Sequence, residues 1–233
     1  MTTLITYNIV SDLNDHLKAP AKIACNFWND FLEPNTSIVI RLGIFTADTD
    51  IIARAYTPST SGGVTYGRVE FNTKFLKDYS KFQIAGTIIH ELGHILGIGF
   101  DKWMHMFDVK SGRFYSEYID IVPGLKPMLI ELEGGVGTQY YHWDEKTFDK
   151  ELMTGYKDSQ EHVLPVTIDV MSLFHHRIIK HLPKKTDLDR LMAAAEQMKF
   201  IKRAKLSGID LEHFEETTLF EAVYASNVID RRV

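Results

Sequence analysis

The chain has 233 residues, 45% of them hydrophobic, and a formal net charge of −5 from 26 basic and 31 acidic side chains. That length suits one large domain or two small lobes sharing a cleft. The acidic and basic residues are well mixed and no basic block stands out, which argues against a nucleic-acid partner.

"LITYNIV" alternates and is rich in β-formers, so it reads as a first strand. The opening "MTTLITYNIV" has no basic region followed by a long apolar run, so no signal peptide is expected. A cytoplasmic protein, or one exported by a leaderless route as effectors are, fits that opening. From about Lys18 to Leu32, Ile23, Ala24, Phe27, Trp28 and Phe31 follow helical spacing, and Pro34 closes the segment. This helix carries Cys25, the single cysteine, which excludes an intrachain disulfide and reads as a small buried hydrophobe. "SIVIRLGIF" is a buried strand, and "RAYTPSTSGGVTYGRVEFN" offers turn signals followed by a short strand around Gly67 to Phe71. Residues 82–97, "FQIAGTIIHELGHILG", form the strongest helix, with Gly97 as its natural stop. The order strand, helix, strand, strand, helix predicts an α+β fold, a twisted mixed sheet backed by two helices.

After Gly99 come Gly112, Pro123, Gly124, Pro127, Gly134, Gly135 and Gly137, an irregular stretch. Its aromatic residues, Trp103, Phe107, Phe114, Tyr115 and Tyr118, favour a packed lobe over a flap. Amphipathic spacing then predicts helices over roughly Val166 to His181 and Leu188 to Arg203, and a last helical stretch around Phe214 to Ala225. The expected division is a catalytic domain over 1–183, with an upper lobe to about 99, an insertion over about 101–135 and a lower lobe over about 136–183. A solvated helical extension, 184–233, is expected to pack on the lower lobe. No segment approaches the length of a membrane span.

The chemistry sits in the strong helix. His90 and His94 are four residues apart, so both imidazoles project from one face and can reach one ion. Glu91 can stay out of the coordination shell and activate a water at the metal. Ordinary packed histidines are a poor alternative, because a polar face on so apolar a helix would need its groups satisfied for no gain. A third protein ligand is required. The commonest extended three-histidine pattern would place it at residue 100, which is Phe100. Asp101 and His105 are near in sequence, and Glu117 or Glu131 would make a two-histidine, one-glutamate site of the gluzincin kind. His142 is delivered by a glycine-rich loop in "GGVGTQYYHWDEKTFDKELMTGY", eleven residues before Met153.

"HELGHILG", an insertion, "GTQYYHW" and "ELM" together resemble the leishmanolysin family of metzincin zinc proteases over roughly residues 36–175. The family's third histidine is displaced downstream by an inserted segment. The resemblance implies His90, His94 and His142 as ligands of one catalytic zinc, Glu91 as the catalytic base, and Met153 in a methionine turn beneath the histidines, packing rather than coordinating. It implies a zinc metalloendopeptidase, here a minimal catalytic core without the family's disulfides. Tyr156, or Tyr140 and Tyr141, are candidates for a second stabiliser of the oxyanion. A peptide or protein substrate would add as a strand to an edge placed at residues 54–72. The pocket beside the scissile bond would be walled by the segment around Met153 and by residues 155–165. His162, His175 and His176 read as solvated or packed. A non-catalytic metal-binding domain, toxin-accessory or otherwise, is the alternative from another class.

Overall fold

The computed structural model describes residues 3–198 and 228–232. Five strands form a mixed sheet: β1 (Ile5–Ile9), β2 (Ser37–Phe45), β3 (Ile51–Ser61), β4 (Val64–Asn72) and β5 (Val228–Arg232). Their spatial order is β1-β2-β4-β3-β5. β1, β2 and β4 run parallel, while β3 runs antiparallel between β4 and β5.

Helices α1 (Lys18–Phe31) and α2 (Lys81–Ile95) cover the sheet. Pro20 is tolerated in the first turn of α1, where its missing N–H is not needed. The expected apolar stripe, Ile23, Ala24, Phe27, Trp28 and Phe31, is buried against α2 and the sheet. α2 begins with a capping box: the Ser80 hydroxyl accepts from the Gln83 amide, and the Gln83 side chain accepts from the Ser80 amide. Every residue from Ile84 to Ile95 is buried, as expected of a helix that is apolar all round and enclosed on every side.

Several expectations need correction. β3 was expected as a turn-rich approach, yet its eleven residues pair along most of β4. Pro58 lies where the register shifts between Tyr56 and Ser59, a bulge that spares the ladder a missing donor. Gly62 and Gly63, both with positive φ, close the tight hairpin between β3 and β4. The edge expected within 54–72 is not open, because β5 pairs along β3 from Ile51 to Tyr56. The helix expected over 166–181 is a short one, α3 (Pro165–Asp169), followed by a 3-10 turn over Val170–Phe174. His175, with φ of 68°, ends that turn, and backbone in this region cannot propagate a right-handed helix.

The next helix, α4 (Leu188–Gln197), stops at an extended Met198. The Asn26 amide of α1 donates to the Ala195 carbonyl at 2.9 Å, so α4 docks on the helical layer of the sheet, while its first residue also holds the lower segment, the Leu188 amide donating to the Glu161 carbonyl at 2.9 Å. The expected continuation to Arg203 and the helix over 214–225 lie outside the described residues. At the far end the chain is strand, so the extension is not helical throughout.

Between Gly99 and α3 the chain makes short turns around an aromatic cluster. The Trp103 ring lies tilted 5.1 Å from that of Trp143 and edge-to-face 5.5 Å from that of Phe114, and the Trp103 indole donates to the Tyr140 carbonyl. Tyr115 stays exposed. Among the described residues no helix is long and apolar enough to cross a membrane.

Candidate metal centre

α2 presents His90 and His94 one turn apart on its buried face, and both are fully enclosed. His142, 52 positions after His90, arrives from the loop behind Gly134, Gly135 and Gly137, all three with positive φ. The His142 carbonyl accepts from the Glu131 amide, and the Glu131 carbonyl accepts from the Tyr140 amide, which pins the loop where it turns inward. The His94 and His90 Nε2 atoms are 3.0 Å apart, and those of His142 and His90 are 3.2 Å apart. The edge of a tetrahedron with nitrogen–zinc bonds of 2.0–2.1 Å is about 3.3 Å.

The other ring nitrogens settle the protonation. His90 Nδ1 lies 2.7 Å from the Leu152 carbonyl, His94 Nδ1 2.9 Å from that of Ile98, and His142 Nδ1 2.9 Å from that of Thr138. A carbonyl oxygen can only accept, so each Nδ1 carries the proton and each neutral ring turns a bare Nε2 lone pair toward the others. Three lone pairs at these separations repel, and no proton lies between them. A cation at their centre turns that repulsion into coordination, and the carbonyl partners are the kind that orient metal-ligating histidines.

All three rings are kept neutral. Burial pushes the pKa of His90 and His94 well below the usual histidine value and that of His142 down to about 4. Smaller contributions come from the Arg231 charge on all three. The residues present therefore fit a zinc ion: neutral imidazoles, a tetrahedral spacing, and tautomers already set.

Met153 lies beneath this group. A Cβ on Gly93 would come within 2.6 Å of its sulfur, so the thioether occupies the space that glycine leaves on α2 between the two histidines. The Glu151 carboxylate holds the turn, accepting from the amides of Met153 and Leu164 and from the Thr167 hydroxyl. Burial raises its pKa to about 7, against the pull of those three donors. Gly97, with φ of 132°, reverses the chain so that the Ile98 carbonyl faces His94, and the Phe174 ring fills the space a side chain there would need.

Glu91 is fully buried on α2 beside His90. Asp101, His105 and Glu117 are exposed and outside the histidine group. Glu131 is buried, but its carboxylate accepts from the Glu133 and Glu145 amides. Tyr156 is half-buried, with its hydroxyl near Gly134 on the loop that carries Thr138 and His142. Tyr140 and Tyr141 are half-buried just before His142. His162 is half-buried, and His175 is exposed beside Lys102. His176 joins Asn35 to the end of α2: its Nδ1 accepts from the Asn35 amide and its Nε2 donates to the Leu96 carbonyl at 2.9 Å. Burial raises the pKa of the Cys25 thiol, so it has no thiolate to offer.

The described residues hold one other group with metal-ligand spacing, Glu145, Asp149 and Asp158, which is half-buried to exposed and all-oxygen. The roles of Gly93 and Glu151 were not anticipated from the sequence. Each stood inside a motif, but only the packing of α2 on the turn gives it a task. No protein-family model matches the chain, and no curated protein matches it.

Proposed function

We propose that the protein is a zinc-dependent metalloendopeptidase of metzincin type, similar in plan to leishmanolysin. One observation carries the proposal: three buried Nε2 atoms from two distant segments converge, and every Nδ1 is committed to a backbone carbonyl. His90, His94 and His142 would hold the ion, and a zinc ion there supplies Lewis acidity for a carbonyl and acidifies water.

Glu91 takes the proton from the attacking water and returns it to the leaving amine, acting as general base and then as general acid. Its position on α2 next to His90 ties it to the same rigid element that carries two ligands. Met153 and Gly93 keep the floor of the site dry and close-packed. The Leu152, Ile98 and Thr138 carbonyls hold the rings in the ligating tautomer. Tyr156 is the candidate for a second hydrogen-bond donor to the developing oxyanion.

The test is zinc content by elemental analysis, wild type beside His142→Ala, with circular dichroism to check the fold. One equivalent in the wild type and a severe loss in the variant support the proposal. One equivalent retained by a folded His142→Ala would move the third ligand elsewhere and overturn it. Glu91→Ala should keep the zinc and lower hydrolysis of an unstructured peptide pool by about 10²–10⁴-fold.

A further inference from the structure

Arg231 is fully buried on β5, and nothing in the chemistry above uses it. A buried guanidinium is costly unless paired, and its partner is the Glu161 carboxylate, itself 2% exposed. The same Arg231 Nη2 lies 3.4 Å from the Leu152 carbonyl and 3.5 Å from that of Tyr156. Lys157 takes the other oxygen of Glu161. Asp158 and Asp189 add negative potential there: Asp189 acts on Lys157, and Asp158 feels Glu161 and Arg231. Without Arg231 the buried Glu161 carboxylate keeps Lys157 as its ion-pair partner and loses the guanidinium on its other oxygen, while Asp158 and Asp189 lie nearer solvent.

The backbone of β5 explains how the arginine comes to be there. One edge pairs antiparallel with β3, with Ala55 opposite Ile229, Arg54 opposite Asp230 and Ala53 opposite Arg231. The other edge runs parallel to the segment after Met153: the Lys157 amide donates to the Arg232 carbonyl at 2.9 Å, and the Arg232 amide to the Gly155 carbonyl at 3.1 Å. β5 thus fills the slot between the sheet edge and the methionine turn, and it passes the histidines. Ile229 reaches within 2.8 Å of where a Cβ on Gly99 would stand, a point 3.3 Å from His94 Nδ1. Arg231 reaches the Leu152 carbonyl, the acceptor of His90 Nδ1. The Asp230–Arg231 peptide bond lies between these two anchors.

We propose that the pocket ending in Glu161 is a specificity pocket for an arginine side chain, and that β5 occupies the place of a peptide substrate whose arginine follows the scissile bond. The inference rests on the metalloendopeptidase reading and names its substrate class: extended peptides with arginine directly after the cleaved bond. It also makes β5 a competitor of that substrate, since both need the outer edge of β3 and the same carboxylate. A substrate enters by replacing β5 strand for strand, trading equivalent main-chain hydrogen bonds.

The probe is a fluorescent synthetic peptide with the sequence Ser226–Val233, binding to the full-length zinc-loaded Glu91→Ala protein, in which it is not cut. With Arg231→Ala added to the protein, the pocket is freed and the peptide should bind at least tenfold tighter. Arg231→Met, which keeps the packing of the stem, serves if the alanine variant does not fold. Replacing the arginine of the peptide that matches Arg231 with alanine, or adding Glu161→Gln to the protein, should each cost at least tenfold. Equal binding with and without that arginine would overturn the pocket, and so would a gain absent from both folded Arg231 variants. A mixed peptide pool, incubated with zinc-loaded Arg231→Ala protein that retains Glu91, separates the two readings. Cleavage enriched for arginine after the cut, and lost in Glu161→Gln, supports both. Cleavage without that preference overturns the pocket alone. Arginine-dependent binding with no cleavage of any peptide supports the pocket and removes the peptidase reading.

Discussion

An alanine methyl at Gly93 would stand 2.6 Å from the Met153 sulfur, 2.9 Å from its terminal carbon and 3.5 Å from the Trp28 ring. The thioether is flexible and can shift, but it is fully buried beneath the histidines, so relief means repacking the floor of the site. Gly93→Ala is expected to cost about 1–3 kcal/mol in urea denaturation and to weaken zinc binding. The histidines make a second prediction at this scale. Burial holds their folded pKa values below that of the unfolded chain, so between pH 6.5 and the folded values the unfolded chain binds protons that the folded one refuses. The three histidines therefore lower the stability of the zinc-free protein as pH drops below 6.5, with the His142 contribution lost near pH 4, while Glu151, its folded pKa raised to about 7, opposes them by one proton over the same range. The slope is at most about 1.4 kcal/mol per pH unit for each histidine. Urea midpoints at pH 7, 6 and 5 measure it, and a flat profile would contradict the buried neutral rings.

At the scale of elements, the methionine turn has no regular ladder to hold it, and Glu151 takes that place with three accepted hydrogen bonds. Removing the carboxylate leaves the Met153 and Leu164 amides and the Thr167 hydroxyl without that acceptor. Glu151→Ala should destabilise the protein by about 3 kcal/mol or more and loosen Met153 beneath the histidines. The start of α2 is a milder case: Ser80→Ala removes half of an exposed capping box and should cost about 1 kcal/mol while leaving zinc content unchanged. The contrast is informative, because the cap sets where the helix begins while the turn sets what lies beneath its histidines. α2 itself was legible from its apolar run and its stop at Gly97. β3 was not, because Pro58 and two glycines read as loop when taken one at a time, and only its pairing with β4 makes them a bulge and a hairpin turn.

For the whole molecule, the histidine group joins the sheet-and-helix layer to the segment that carries the glycine loop and the methionine turn. A bound ion would therefore cross-link two regions whose histidines, His90 and His142, lie 52 positions apart in the chain. Zinc at 100 times its dissociation constant should add about 2.7 kcal/mol to the unfolding free energy, seen as a rise in Tm that a chelator reverses. His142→Ala should show little of that rise. β5 makes a further cross-connection, bonded to β3 on one side and to the segment at Gly155–Lys157 on the other, with the Arg231–Glu161 pair buried between.

The sequence by itself determined the local parts: the stripe of α1, the buried run of α2, the strands β1 and β2, and the spacing that turns His90 and His94 the same way. These follow from periodicity and from residues near each other in the chain. Residue chemistry left Asp101, His105, Glu117, Glu131 and His142 open as the third member, the family resemblance pointed to His142, and in the tertiary structure His142 is the one of these within reach of His90 and His94. The tertiary structure alone decided that the outer edge of β3 is covered, that the segment 166–181 breaks at His175, and that Arg231 meets Glu161 seventy positions away. Such pairings are set by the geometry of the closed core and by the cost of leaving a buried charge or lone pair unmatched, and neither is written in any short stretch of chain.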